Sequence, residues 1–266
     1  MKFNQTLVIY NKKIEDCFLL RFNDMYICDN STDDNIKECN VHYASLNYDK
    51  FVYIDMQGNM GLAKAYNKAI DVIKPGQDDY IIIFDQDTHF CADIFDRYIK
   101  YIEENPHIDI VCPVVIDSVG VMSPSLILGM KYTHLSSIKE IGNKKINDFS
   151  FINSGMCIKG AVFSKIKYDE HLFLDFVDHD FIIKAKTEEL EIGICDEIIL
   201  HQEFSGVTKN SFEQDFTRFQ IYAKDSKVFY QKNYKKDYRF ILLKRALKLC
   251  FIHKRIVFLK ELFKKN

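Results

Sequence analysis

The chain lacks any apolar run approaching the roughly 20 residues that a helix needs to cross a bilayer. Its opening, MKFNQTLVIYNKK, is apolar over too short a stretch for a secretory signal. A membrane-spanning or exported protein is therefore not expected, and the sequence reads as cytoplasmic. Eight cysteines, at 17, 28, 39, 91, 112, 157, 195 and 250, include no C-x-x-C pair and no histidine at metal-ligand spacing. That argues against a zinc site or a disulfide framework and leaves the thiols as small apolar or inert residues. Repeats and low-complexity segments are also missing. Disorder is excluded too, because 266 residues that are 47% hydrophobic and 14% aromatic can bury a full core. The length suits one large α/β domain, alone or with an appendage.

Acidic charge is scarce at one end. Residues 231–266 carry 12 Lys/Arg against Asp237 and Glu261, a net of +10, and the net charge of -2 for the whole chain leaves -12 for the rest. A basic tail therefore follows an acidic body. Nucleic-acid binding is disfavoured by that acidic remainder and by the lack of a recognised module.

The body is organised around DDYIIIFDQDTH, residues 78–89. Ile81, Ile82, Ile83 and Phe84 form an uninterrupted β-prone run, the pattern of a strand covered on both faces in a parallel sheet. Asp85 and Asp87 follow directly. Side chains two apart on an extended chain share a face, which sets both carboxylates on one side of the strand's C-terminal edge, where open α/β sheets bind ligands. Two hard oxygen donors there suit Mg2+ or Mn2+ carrying water and a substrate diphosphate. A solvated turn after a strand is the competing reading.

Upstream, Thr6–Tyr10, Met25–Cys28 and Phe51–Ile54 read as strands. A helix with Leu62, Ala65, Tyr66, Ala69, Ile70 and Ile73 on one face then runs to Pro75-Gly76. A second amphipathic helix carries Ile94, Phe95, Tyr98, Ile99 and Ile102, and Asp109–Ile116 resumes the sheet. This βα alternation predicts a mostly parallel sheet flanked by helices. Residues 120–150 show little pattern and read as a mobile or acceptor-facing loop. A helix is predicted near 211–232, with the basic tail beyond it.

The ordered set VIYNKK, ICDNST, GNMGLAKAYNKAI, DYIIIFDQDT, NSGMCIKGAVF, FLDFVDHDF and LHQEFSG resembles the inverting glycosyltransferases of the GT-A fold, family 2 type, over roughly residues 5–207. Its D-Q-D form is similar to the bacterial rhamnosyltransferases. The resemblance implies a Rossmann-like catalytic domain over 1–210, with a nucleotide-sugar half to about 115 and an acceptor half from about 116. A basic helical extension follows over 211–266. It implies transfer of L-rhamnose from dTDP-rhamnose onto a lipid-linked cell-surface polysaccharide intermediate by a single displacement.

The resemblance also distributes roles. Tyr10, Asn11, Asp29 and Asn30 would surround the nucleobase, with Asp29 accepting a ring N–H. Asn59, Gly61, Leu62 and Asn67 would face the nucleotide from the start of the long helix, although Gly61 also reads as a turn residue needing unusual backbone angles. Asp85 and Gln86 are assigned to the nucleotide and Asp87 to the divalent cation, with His201 as a second metal or phosphate contact; a merely structural His201 is the alternative. Asn153, Ser154, Gly155 and Asp175 would line the donor-sugar and acceptor cleft. Asp178 would be the base for the acceptor hydroxyl, although Val177 stands where many relatives carry Glu. One of its neighbours, Asp175 or Asp180, is expected to be structural, with helix capping among the possible roles.

The basic tail has two readings, an anionic membrane surface or a helical pair packed on the body. Competing functions are the same fold using a UDP-sugar (galactofuranose, hexose or N-acetylhexosamine) and a degenerate GT-A scaffold without turnover. A nucleotidyltransferase is disfavoured because no glycine-rich basic loop follows Tyr10.

Overall fold

The computed structural model describes residues 2–17, 25–202, 210–235 and 238–264. The EFSG end of the last motif falls outside these residues, as do Lys236, Asp237 and Lys265.

Four parallel strands form the N-terminal half of the sheet: β1 (Phe3–Ile9), β2 (Met25–Asp29), β3 (Phe51–Asp55) and β4 (Tyr80–Asp85), in the spatial order β3-β2-β1-β4. Short β5 (Thr88–His89) follows the acidic turn. The sheet continues from β4 through β10 (Cys157–Lys159) to β6 (Ile110–Ile116) and β11 (Ile192–Gln202). β10 runs antiparallel to both its neighbours, and β11 runs parallel to β6. Helices α1 (Asp34–Asn47), α2 (Leu62–Ile73), α3 (Ile94–Glu104) and α4 (Val177–Thr187) connect the strands. The mixed α/β architecture expected of a GT-A fold is thus present.

β4 shows why an all-apolar strand was needed. Ile81 and Ile83 join a core beneath α2 and α4, which includes Ala65, Tyr66, Ala69 and Phe181. Ile82 and Phe84 join a second core on the opposite face with Leu7, Ile27, Tyr98 and Ile102. A strand buried on both faces has no alternation to display.

Residues 120–150 are a correction. They form an antiparallel hairpin, β7 (Val121–Leu128) and β8 (Lys131–Leu135), with β7 also pairing β6 and β9 (Phe149–Ser150). The strand signal is weak there because β7 buries Ser123 and Ser125 and β8 leaves Lys131, Thr133 and His134 exposed. The thiols also divide: all eight are free, Cys28, Cys112, Cys157 and Cys195 are buried, and Cys39 is exposed.

Beyond residue 210 come α5 (Phe212–Tyr234), α6 (Arg239–His253) and the single-turn α7 (Val257–Lys260). Ser211 caps α5 by accepting from the Gln214 amide, and the Gln214 side chain accepts from the Ser211 amide. The helix then bridges two cores. Phe229 and Tyr230 belong to the body's core, whereas Phe219 packs with Leu242, Ala246, Leu249, Phe258 and Leu262 in a core of the C-terminal helices. Burying a side chain such as Phe229 contributes about 1.5–3 kcal/mol, so α5 is bound into the body.

Candidate active site

Asp85 closes β4, and the chain then turns, so Asp87 is not placed beside it by strand alternation. A polar relay links the two instead. The Ser154 hydroxyl contacts the Asp85 carboxylate and lies 3.1 Å from Gln202 Oε1, while Gln202 Nε2 donates to Asp87 at 2.9 Å. Tyr66, from the buried face of α2, donates its hydroxyl to the other Asp85 oxygen at 3.2 Å. Burial raises the Asp85 carboxyl to about 6, with the charge of Asp87 adding to the effect. Asp87 is raised as well, chiefly by burial, and the nearby Lys12 ammonium partly offsets this.

Lys12 donates to the Gln86 carbonyl at 2.7 Å, and the Gln86 side chain accepts from the Tyr10 amide at 2.8 Å. The end of β1 is thereby tied to the acidic turn. Tyr10 is left 44% exposed at the mouth of the cleft. Asn11 takes a left-handed conformation (φ 46°), with its amide donating to Ser31 Oγ and its side-chain oxygen accepting from the Thr32 amide.

Several residues expected to face the nucleotide make hydrogen bonds that organise the surrounding backbone. Asp29 is fully buried, and its carboxylate accepts from the Ser31 amide (2.8 Å), Asn40 Nδ2 (3.0 Å) and the Tyr53 hydroxyl (2.7 Å). It therefore joins β2, α1 and β3. Asn30 accepts from the Met60 amide at 3.2 Å and Asn59 from the Gly61 amide at 3.2 Å, which shapes the turn before α2. Gly61 has φ 88°, and a Cβ there would stand 2.7 Å from the Phe173 carbonyl oxygen, so both the turn and the close approach require glycine. The Leu62 amide donates to that same carbonyl at 2.7 Å. Asn67 is buried and brackets the Tyr168 backbone, accepting from its amide (3.1 Å) and donating to its carbonyl (3.0 Å).

His201, expected as a second metal or phosphate contact, stands beside Gln202 at the end of β11. It is exposed and in register with His89 of β5, whereas its neighbour Gln202 is buried and touches Asp87. Successive strand residues point to opposite faces, so Gln202 and not His201 reaches the Asp87 carboxylate. Among the described residues no three His, Cys, Asp or Glu side chains converge to hold a metal by themselves.

Asp178 lies in the first turn of α4, half-buried, with one oxygen accepting from the His179 amide at 2.8 Å. Its charge acts on Asp85, Tyr66 and Tyr168, so it lies near all three. The helix is not capped by an aspartate. Phe176, left-handed at φ 65°, occupies the cap position without a side-chain bond, and α4 starts at Val177. Asp180 is indeed structural: it is fully buried and accepts from Lys232 (2.8 Å) and Asn233 (3.0 Å), with Lys184 at 3.3 Å.

Asp175 is gripped by both terminal nitrogens of Arg218, one at 2.8 Å. Asp225, fully buried, accepts from the amides of Phe173 (3.0 Å), Leu174 (2.8 Å) and Asp175 (2.8 Å). Arg218, Asp225 and Lys232 recur at seven-residue spacing along one face of α5 and hold the segment that leads into Asp178. The same segment contacts Gly61 through Phe173, which connects it to the start of α2. Asn153 accepts from the Tyr168 hydroxyl at 3.1 Å. Gly155, at φ 73°, donates its amide to the Ile83 carbonyl at 2.8 Å and has no room for a Cβ against Leu200. His179 stacks on Tyr132 of β8 at 3.8 Å and hydrogen-bonds Ser150 at 2.7 Å, while burial lowers its pKa. The hairpin therefore borders the Asp178 end of the cleft.

Lys12, Tyr66, Gln202, Arg218 and Asp225 are the cleft-forming residues that motif reading missed. Only Gln202 carried a usable signal, through strand alternation next to His201.

The family described as "Glycosyl transferase family 2" matches residues 20–173, more than half of the chain. An uncharacterized glycosyltransferase of Methanocaldococcus jannaschii is 25% identical over 181 residues, covering 67% of this chain and 59% of its own length. Among solved structures, S. aureus TarS 1-349 in complex with UDP-GlcNAc has a TM-score of 0.50 at 15% identity, covering 85% of this chain and 66% of its own. The mannosyltransferase PcManGT of Pyrobaculum calidifontis, in complex with GDP-Man and Mn2+, has a TM-score of 0.53 at 12% identity, covering 86% and 64%. At such identities the likeness is one of fold. This chain spans about six-tenths to two-thirds of the length of these three proteins.

Proposed function

Because the chain belongs to glycosyl transferase family 2, we propose that it transfers L-rhamnose from dTDP-rhamnose, with inversion, to a lipid-linked intermediate of a cell-surface polysaccharide. One observation carries the reading. Asp85 and Asp87 are joined through Ser154 and Gln202 at the carboxyl edge of β4, where the charge of Asp178 also acts on Asp85. The sugar rests on the likeness of the D-Q-D turn to rhamnosyltransferases. UDP- and GDP-sugars are the competing donors, since similar folds are found with UDP-GlcNAc and GDP-Man.

Crowding of Asp85 and Asp87 favours a divalent cation between the protein and the donor diphosphate. Asp87, with Asp85 nearby, would hold Mg2+ or Mn2+, ions that protein sites usually bind through one or two carboxylates. When bound, the ion supplies Lewis-acid stabilisation of charge on the departing diphosphate. The chain's own residues do the rest. Asp85 is oriented by Tyr66 and Ser154, Gln202 fixes Asp87, and Lys12 adds positive charge beside the turn. Asp178 takes the proton of the acceptor hydroxyl as that oxygen attacks the anomeric carbon from the face opposite the diphosphate, and the sugar–phosphate bond breaks. The acceptor enters past the hairpin and α4. Among the described residues no helix is long and apolar enough to cross a membrane, so in this reading a lipid-linked acceptor is met at the membrane surface.

The test is a panel of dTDP-, UDP- and GDP-sugars assayed for binding and hydrolysis with Mn2+, with Mg2+ and with chelator, from pH 5 to 8. Selection of dTDP-rhamnose supports the reading; selection of a UDP- or GDP-sugar overturns the donor. The pH dependence has a definite sign. An Asp85 carboxyl raised to about 6 is ionised above that pH and protonated below it, so protons compete with the cation. Metal-dependent affinity should weaken by up to about tenfold per pH unit below 6. Without ligand, ionised Asp85 is unfavourable in the fold, and lowering the pH from 6 towards the ordinary carboxylate value should raise stability through this group.

A further inference from the structure

Away from the cleft, α6 is apolar on two sides. Leu242, Ala246 and Leu249 are buried in the core of the C-terminal helices. Phe240, Leu243, Leu247 and Phe251, spaced i, i+3, i+7 and i+11, form a second stripe that faces outward, with Phe240 82% and Phe251 87% exposed. Ile252, Ile256 and Phe263 extend it. Seven of the sixteen exposed large apolar side chains among the described residues therefore lie between Phe240 and Phe263. Single exposed apolar residues need no explanation, but a concentration of them does.

Charge indicates what covers this face. Residues 238–264 hold eight Lys/Arg and one acid, Glu261. Lys244 and Lys248 are exposed beside the Phe240–Leu247–Phe251 stripe, and Lys254, Arg255, Lys260 and Lys264 are exposed beyond it. Glu261 is taken by Lys264 at 2.7 Å. Aromatic and leucine side chains bordered by lysines, with no exposed acid among the described residues 238–264, suit a helix lying in a bilayer interface, its apolar stripe in the acyl region and its ammonium groups at the phosphates. We propose that the outward face of α6, continued by Ile256 and Phe263, docks on an anionic phospholipid bilayer. This deepens the reading of a lipid-linked acceptor, because it supplies the surface on which such an acceptor resides.

Vesicle sedimentation tests it, with phosphatidylcholine alone against phosphatidylcholine mixed with phosphatidylglycerol, using the full chain. The wild type should partition onto the anionic vesicles and little onto the neutral ones. The double variants Phe240→Ser/Phe251→Ser and Lys244→Glu/Lys248→Glu should each lower that partitioning about tenfold or more. Melting temperature and dTDP-rhamnose binding should stay at wild-type values, since none of the four side chains is buried. Absence of wild-type binding, binding indifferent to both variants, or a wild-type dimer dissolved by the phenylalanine substitutions would each overturn the proposal. The last outcome would assign the face to a second copy. Donor binding on the same samples separates the two readings: its failure with vesicle binding intact removes the donor assignment and leaves the docking face standing.

Discussion

Replacing Asp178 by Asn should leave the affinity for donor and metal close to wild type while lowering glycosyl transfer by about 10²–10⁴-fold, the range expected when a positioned base is lost. The amide is isosteric and keeps an oxygen for the His179 amide, so the start of α4 is undisturbed. Its lone pair is not basic, however, and the acceptor proton has no receiver. Calorimetric titration of donor with Mn2+, run beside product formation, distinguishes these effects. Turnover undiminished in the variant would remove Asp178 from the role. Loss of donor binding with turnover would instead make it part of the diphosphate site, in line with its action on Asp85.

A second large effect is expected at a residue outside every recognised motif. Asp225→Ala removes a fully buried carboxylate and strands the amides of Phe173, Leu174 and Asp175. Lost partners of this kind, in one buried cluster, cost about 3–5 kcal/mol. In a chain of this size that lowers the melting temperature by roughly 10 °C. Below the melting transition, turnover should fall more than donor affinity, because the released segment carries Asp178 rather than Asp85 and Asp87. Asp225→Asn, which keeps one acceptor oxygen, should fall between the two. A melting temperature within about a degree of wild type for Asp225→Ala would mean that the segment is held by other contacts.

Asp225 also illustrates where sequence reading ends. The motif families mark residues that act within a few positions of one another, and those were legible. The run 81–84 predicted β4, the 3.6-residue spacing of Leu62 to Ile73 predicted α2, and Asp85 was placed correctly at a strand end, whereas Asp87 lies in the turn beyond it rather than beside it by strand alternation. What joins them spans long separations: Gln202 to Asp87, Ser154 to Asp85, Asp225 to Phe173. A lone buried Asp in a helix of alternating charge gives no sign of the amides it will meet. Local polarity also misled, since the serines of β7 are buried within the sheet and hid a hairpin. The C-terminal helices resisted pattern reading for a physical reason. With one apolar face of α6 in the core and another turned outward, no single polar face exists to detect.

In the proposed reading the carboxyl edge of β4 holds a nucleoside diphosphate through Asp87 and a divalent cation. Titration of dTDP into the protein, with Mn2+ and then with chelator, using wild type and Asp87→Ala, tests it most directly. The expected result is binding to wild type that chelator weakens by at least about tenfold, with the variant giving the weak value under both conditions. Tight, metal-dependent binding retained in Asp87→Ala, or no nucleotide binding by the wild type under either condition, would contradict it.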